Sequence, residues 1–515
     1  MLFNSYFFLL FFLPVVLIGF YLLSSYTNRN LALSWLVVSS LFFYSWWRPP
    51  YLALIIVSIA VNYLFGKQIA AATSHRKAWL IAGLAINLGG LGYFKYANFF
   101  VDSFNDMAGT QVYVAPIFLP LAISFFTLQQ IAFLVDTYHG KTQEYRFLHY
   151  CLFVSFFPQL IAGPIVHHKE MMPQFMKNPY RDKIATNLAV GITIVIIGLF
   201  KKVVLADSLA TIASPIFTAV SHGVSLTFFE AWGGLLGYTF QLYFDFSGYS
   251  DMAIGLARMF GIRLPLNFFS PYKARNIGEV WHRWHMTLSR FLRDYLYIPL
   301  GGNRKGEARR YLNLIITFAL GGFWHGAGWK FMCWGLMHGV YLVVYHFWAK
   351  NIKPLFGSRL SGNRLAHALS VMVTFFFFIL ALVFVRADTY GGAVDVLKAM
   401  FGANGVALHP DSQFWIGLIG HLGISVDVAG SAIRFVNEQT MDWFVISALL
   451  IWGAPNTAQI MGAWEPAFDS APWIKAYPNR ITWSPSVGWA SCVILLLVVA
   501  LMHMNNVSEF LYFQF

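Results

Sequence analysis

Apolar residues run in blocks of about 20 along most of the chain, separated by short polar or basic segments; that block length is what a helix needs to cross a hydrocarbon core. The pattern predicts spans near 3–24, 30–47, 51–71, 78–101, 115–136, 186–205, 228–256, 311–327, 329–349, 365–386, 440–461 and 483–503. The chain is therefore expected to be an all-α, polytopic membrane protein. Segment 147–166 is apolar but contains Pro158, Gly163 and Pro164, which argue against an unbroken helix and for a re-entrant element buried in protein. Segment 206–222 is ambiguous between a span and a connector.

Charge orients the spans. Basic loops at Lys67–Lys77, Lys141–Arg146 and Lys169–Lys183 read as cytoplasmic, and loop 102–114, with Asp102 and Asp106 but no Lys or Arg, reads as outer. Segment 257–310 carries eleven Lys/Arg against Glu279, Asp294 and Glu307, the strongest inside signal in the chain. Counting onward puts loop 387–438 and both termini outside. The first run has no basic residue before it and no small-residue cleavage site after it, so it is expected to stay as a membrane helix.

Composition agrees. The 515 residues are 58% hydrophobic and 11% charged, where a soluble domain carries roughly 25% charge. The net charge of +13 lies in short loops between spans, which suits topology and anionic lipid and leaves no separate basic domain for nucleic acid. Cys151, Cys333 and Cys492 have neither metal-like nor disulfide-like spacing.

The candidate chemistry concentrates between Glu279 and Gly339, which hold four of the fifteen histidines: His282, His285, His325 and His338. A titratable group in a membrane-like segment is costly and points to function. His325 follows Gly321 and Gly322 and precedes Gly326, where missing side chains let a backbone or a ligand approach. A neutral imidazole there could take a proton from a hydroxyl; the plainer reading is a hydrogen-bonded histidine in a bundle. His282 and His285 would share a helix face, which suits a base with a second polar group better than metal ligation, since no acid or Cys joins them. The run from Trp281 to Tyr297 also reads as an interfacial amphipathic helix, and its arginines either as a phosphate-binding patch or as a positive-inside loop. Nothing matches a nucleotide-hydrolysis motif. Asp245 and Asp251 sit inside or beside a span and could relay protons, pair with arginines of the basic loop, or cap a broken helix; pairing is favoured. Tyr512 is the one nucleophile of the terminal Phe510–Phe515, otherwise an aromatic anchor.

Several stretches, in order, resemble the membrane-bound O-acyltransferase family, in its bacterial branch of alginate O-acetyltransferases. They are Tyr93–Tyr96, Pro158–Pro164, Gln241–Asp251, Trp281–His285, Asp294–Asn303, Gly321–Gly326 and Phe510–Phe515. The resemblance covers about 1–390 and the terminal hexapeptide; 390–480 match poorly. It implies a ring of about 11–13 tilted spanning helices with re-entrant and interfacial helices around a central tunnel. Residues 1–390 would form the acyltransferase core, 391–439 an outer loop or helical region, and 440–515 the last spans with the terminal hexapeptide. The family's invariant histidine falls on His325 and its second active-site position on His285. Relatives usually have Arg where this chain has His282. The implied donor is cytoplasmic acetyl-CoA, with no metal. The implied donor-binding set is Trp281, His282, Arg283, Trp284, Arg290, Arg293 and Asn303, and Asp245, Asp251, Trp324 and His338 would support the tunnel. The implied acceptor is an exported, alginate-like polysaccharide at a bacterial inner membrane. An SGNH-type acetyltransferase and a polymer synthesis and export complex would be partners. A relative taking long-chain acyl donors to lipid, or a proton-coupled transporter using His282, His285 and His325, are the competing readings.

Overall fold

The computed structural model describes residues 1–26, 29–142, 146–176, 183–355, 363–408, 413–421, 427–428, 436, 438–505 and 511. Its helices are α1 (Leu13–Tyr26), α2 (Arg29–Ser45), α3 (Tyr51–Ala71), α4 (Arg76–Leu91), α5 (Ala97–Ala108), α6 (Ile123–Tyr138), α7 (Phe147–Ser155), α8 (Phe157–Leu160), α9 (His168–Met176), α10 (Ile184–Phe200), α11 (Asp207–Ser221) and α12 (Phe228–Met259). They continue with α13 (Ile277–Arg283), α14 (Met286–Leu292), α15 (Gly306–His325), α16 (Trp329–Phe347), α17 (Arg364–Arg386), α18 (Tyr390–Met400), α19 (Gln413–His421), α20 (Glu438–Ala448), α21 (Thr457–Ile460), α22 (Ala471–Ala476) and α23 (Val487–His503). Among the described residues, the only strand ladder is a two-residue parallel pairing of Ala407–Leu408 with Asp427–Val428.

The architecture is all-α, as the hydropathy pattern requires. Among the described residues, four helical stretches are long and apolar enough to cross a membrane: Phe8–Ser25, Tyr51–Ala71, Ile184–Ser221 and Arg364–Arg386. The expected spans differ from the observed helices at definite places. Segment 206–222 continues α10 through a π-helical turn, Lys201–Ala206, into one 38-residue helix. The expected span 115–136 becomes helical only at Ile123, because Pro116 and Pro120 hold the apolar residues before it in an extended path. The expected span 440–461 ends its helix at Gly453, before Pro455, and resumes as α21. Segment 147–166 breaks at Phe156 into α7 and α8, with Pro158 in the first turn of α8 where a proline costs no hydrogen bond.

α12 organises the packing. At 32 residues it is about 48 Å long and almost entirely buried, and a Thr227/Glu230 capping box fixes its start. Its C-terminal half packs in a core with α1, α2 and α6–α10, and its N-terminal half in a second core with α11, α13, α16, α17 and α18. Gly198 on α10 faces Gly248 on α12 so closely that a Cβ on Gly198 would lie 2.5 Å from the Gly248 carbonyl oxygen. Beside this crossing, Lys201 Nζ meets Asp251 at 2.6 Å, and Lys202 Nζ meets Asp207 at 2.8 Å and Asp245 at 2.7 Å. The two α12 aspartates are thus paired, but with the lysines of the π turn rather than with the basic loop, and α12 is unbroken. Asp245 also accepts the Leu511 amide at 3.2 Å, and Leu511 is buried in the second core.

Candidate active site

The run from Trp281 to Tyr297 is not one continuous amphipathic helix. Asn276 caps α13 by accepting the Glu279 amide at 2.8 Å. α13 stops at Arg283, Trp284 is extended, and His285 takes a left-handed conformation (φ 44°) before α14 begins. The Phe269 amide donates to Arg283 O at 2.9 Å and the Met286 amide to Asn267 O at 3.0 Å, tying this break to the 267–269 stretch. His282 and His285 therefore do not share a helix face. His282 is exposed, whereas His285, Trp281 and Trp284 are buried. Positive φ is uncommon for a residue with a Cβ, and such strain gathers at functional sites.

Asn267, itself fully buried, fixes the His285 ring. Its Oδ1 accepts from the Thr287 hydroxyl at 2.9 Å and lies 3.4 Å from the Thr287 amide, so it is an acceptor toward His285 Nδ1 at 3.1 Å. The neutral ring therefore carries its proton on Nδ1 and its lone pair on Nε2. Burial, with a smaller contribution from the His325 ring, holds this imidazole well below the usual histidine range. The two ring centroids are 6.4 Å apart.

His325 is the last residue of α15. Gly322 before it admits a helix rather than a ligand: a Cβ there would sit 2.3 Å from Phe331 O and 2.8 Å from the Gly335 Cα of α16. That contact sets His325 edge-to-face with Trp334 at 5.0 Å. His338, fully buried, is enclosed by Trp281, Trp334, Tyr341 and Phe378.

Two cavities meet at His325. One, about 90 Å³, is lined by Trp47, Lys95, Leu119–Phe125, Ile161, Ala162 and Trp324, and lies toward the segments that charge counting puts outside. The other, about 40 Å³, is apolar and lined by Leu242, Phe246, Trp284, Trp334, Phe378, Leu382 and Val385. A third cavity, about 620 Å³, opens in the basic segment and takes Trp281, His282, Arg283, Arg293 and Asn303 together with Arg275, Arg310, Tyr345 and His346. Trp281 spans the wall between sides: it lines this cavity and packs 5.9 Å from Trp334, which lines the apolar one.

Three of the four arginines of the large cavity, Arg275, Arg283 and Arg293, lie against acids. Arg283 pairs with Glu279 at 2.6 Å and stacks over Tyr477 at 4.4 Å, and Arg293 pairs with Asp294 at 2.7 Å. Burial pushes the Glu279 carboxyl up, but the Arg275 amide and the Arg283 and Arg275 guanidiniums bring it net below the usual range. Four arginines against Glu279 leave the lining net positive, a fit for a polyanion. Two of the expected donor residues lie elsewhere. Arg290 lines a neighbouring cavity and forks onto buried Glu170 at 2.6 and 3.1 Å, and Trp284 faces the apolar cavity. Tyr512 lies outside the described residues.

Sequence reasoning passed over Asn267 and Lys95. Lys95 sits on a π-helical turn, Gly92–Tyr96, and its Nζ donates to Trp324 O at 2.5 Å, while the Tyr96 hydroxyl donates to Phe323 O at 2.9 Å. The Tyr93–Tyr96 motif was the available signal, but a lysine among aromatics at a span end reads equally as an interfacial anchor.

Residues 105–385 match the sequence profile of the membrane-bound O-acyltransferase family. The chain is 47% identical to a peptidoglycan O-acetyltransferase of Helicobacter pylori over 79% of this chain and 81% of that protein. It is 42% identical to the probable alginate O-acetylase AlgI of Pseudomonas aeruginosa, over 78% and 75% of the two chains. It is also 36% identical, over the full length of both chains, to its counterpart in Pseudomonas putida.

Proposed function

Because the chain belongs to the membrane-bound O-acyltransferase family, we propose that it carries acetyl from cytoplasmic acetyl-CoA to a hydroxyl on the outer face of a bacterial inner membrane. The final acceptor is an exported polysaccharide. One observation carries this reading: His325 stands where a small outer cavity meets an apolar one, and the packed pair Trp334 and Trp281 separates that point from a net-positive cavity large enough for a nucleotide. The charged carrier can stay on its own side while the acyl group passes, which replaces transport of the carrier by proximity.

In the reaction His325 takes the proton of the acceptor hydroxyl as its oxygen attacks the thioester carbonyl. The C–S bond then breaks, and the leaving thiolate takes the proton. His285, its ring held by Asn267 and 6.4 Å from the His325 ring between centroids, would orient the thioester beside the base. The apolar cavity of about 40 Å³ favours a two-carbon acyl group over a long chain. Among the described residues, His282 lines the large cavity and its neighbour while His325 lines the two small ones, which speaks against a three-histidine proton relay.

The acceptor class is drawn from relatives acting on alginate and peptidoglycan, and a periplasmic SGNH-type acetyltransferase with a polymer export complex would complete delivery. Tyr512 is proposed as a transient acetyl carrier on the outer face; mass spectrometry of the C-terminal peptide during turnover is expected to show acetyl-Tyr512, and full activity of Tyr512→Phe would eliminate it. The donor assignment is tested in membranes given acetyl-CoA or palmitoyl-CoA labelled in the acyl group. Label should enter polysaccharide from acetyl-CoA alone; equal or preferred use of palmitoyl-CoA would refute it.

A further inference from the structure

We propose that Lys95 is a positioning residue for His325, holding the end of α15 so that the imidazole stays at the junction of the two cavities. The inference rests on the acyltransferase reading above. α15 ends at His325 with no continuing turn, so its last carbonyls have no intrahelical partners. Three successive ones are taken by the same π-helical turn. Tyr96 donates to Phe323 O at 2.9 Å, and Lys95 Nζ lies 2.5 Å from Trp324 O and 3.5 Å from His325 O. Stacking of the Tyr96 and Phe323 rings, 4.4 Å between centroids, braces the same contact. The π turn matters because it puts Lys95 and Tyr96, adjacent in sequence, onto one helix end.

A cation at the negative end of a helix is favourable, and more so in a partly buried setting. Lys95 also lines the outer cavity beside His325, 3.4 Å from the Ser124 hydroxyl and over the Trp324 ring. Its amine therefore borders the space in which the acceptor hydroxyl would react, and the task the geometry gives it is to set the position of His325.

The test uses membranes from cells producing the full chain, which keep any partner, with acetyl-labelled acetyl-CoA as donor and polymer-bound label as readout. Rates are normalised to folded protein by fluorescence-detected size exclusion. Lys95→Met is expected to lower kcat about tenfold or more with the donor KM within about twofold, because the site is displaced and not the donor cavity. Lys95→Arg, which keeps charge and donors, should recover most of the loss. An inactive His325→Ala beside a Lys95→Met of wild-type kcat would overturn the inference alone, as would equal losses in the Met and Arg variants. A fully active His325→Ala would overturn the underlying reading of the site.

Discussion

Adjacent glycines Gly321 and Gly322 should respond oppositely to the same methyl group. A Cβ on Gly322 would meet Phe331 O at 2.3 Å, Gly335 Cα at 2.8 Å and Gly335 N at 2.9 Å, all main-chain atoms of or beside α16. Ordinary contacts are about 3.5 Å, so α15 and α16 would have to separate by roughly 1 Å. Overpacking of this kind costs about 1–3 kcal/mol, partly offset by the roughly 1 kcal/mol that Ala gains over Gly in a helix. The larger effect falls on activity: His325 lies one turn further along α15, and a displacement of about 1 Å at a catalytic group can cost on the order of 100-fold in rate. At Gly321 the nearest atom is the Leu292 Cδ1 at 3.0 Å, the mobile end of a side chain. Gly321→Ala should therefore be folded and active, and Gly322→Ala folded but at least about tenfold slower in polysaccharide-bound acetate per folded molecule. Equal activity of the two variants would refute the reasoning.

Lys202→Met removes the cation that lies between Asp207 and Asp245 in a buried site, and should cost about 3–5 kcal/mol, read as a lowered thermal midpoint in detergent. Lys202→Met combined with Asp245→Asn should recover part of the loss. Asn267→Ala removes the acceptor that sets the His285 tautomer and should lower kcat by about tenfold or more, with Asn267→Asp less damaging because it keeps an oxygen at that position.

Much of the fold could be read from the chain, since apolar block length and loop charge are local properties. The exceptions have local causes too: Pro116 and Pro120 delay α6, and Gly453 to Pro455 interrupt the helix after α20. His325 was legible because an imidazole among glycines in an apolar run has few other uses. The role of Gly322 was not, since what fills the space is α16, which only the packed structure reveals. The same holds for charge. Asp245 and Asp251 could be seen to need partners, yet Lys202 and Lys201 lie 43 and 50 residues upstream of them, inside what reads as an ordinary span. Lys95 reaches a carbonyl 229 residues away. His285 looked like the partner of His282 because three-residue spacing presumes a helix, and the break at Trp284 is enforced by Asn267 and Phe269 from another stretch.

The central claim is that His325 is the proton acceptor in acyl transfer. It is tested most directly by His325→Ala, produced in membranes at the wild-type level of folded protein, with polymer-bound acetate measured after a pulse of acetyl-labelled acetyl-CoA. Label in the polymer is expected to fall to background while the protein remains folded. Wild-type incorporation by the folded variant would contradict it.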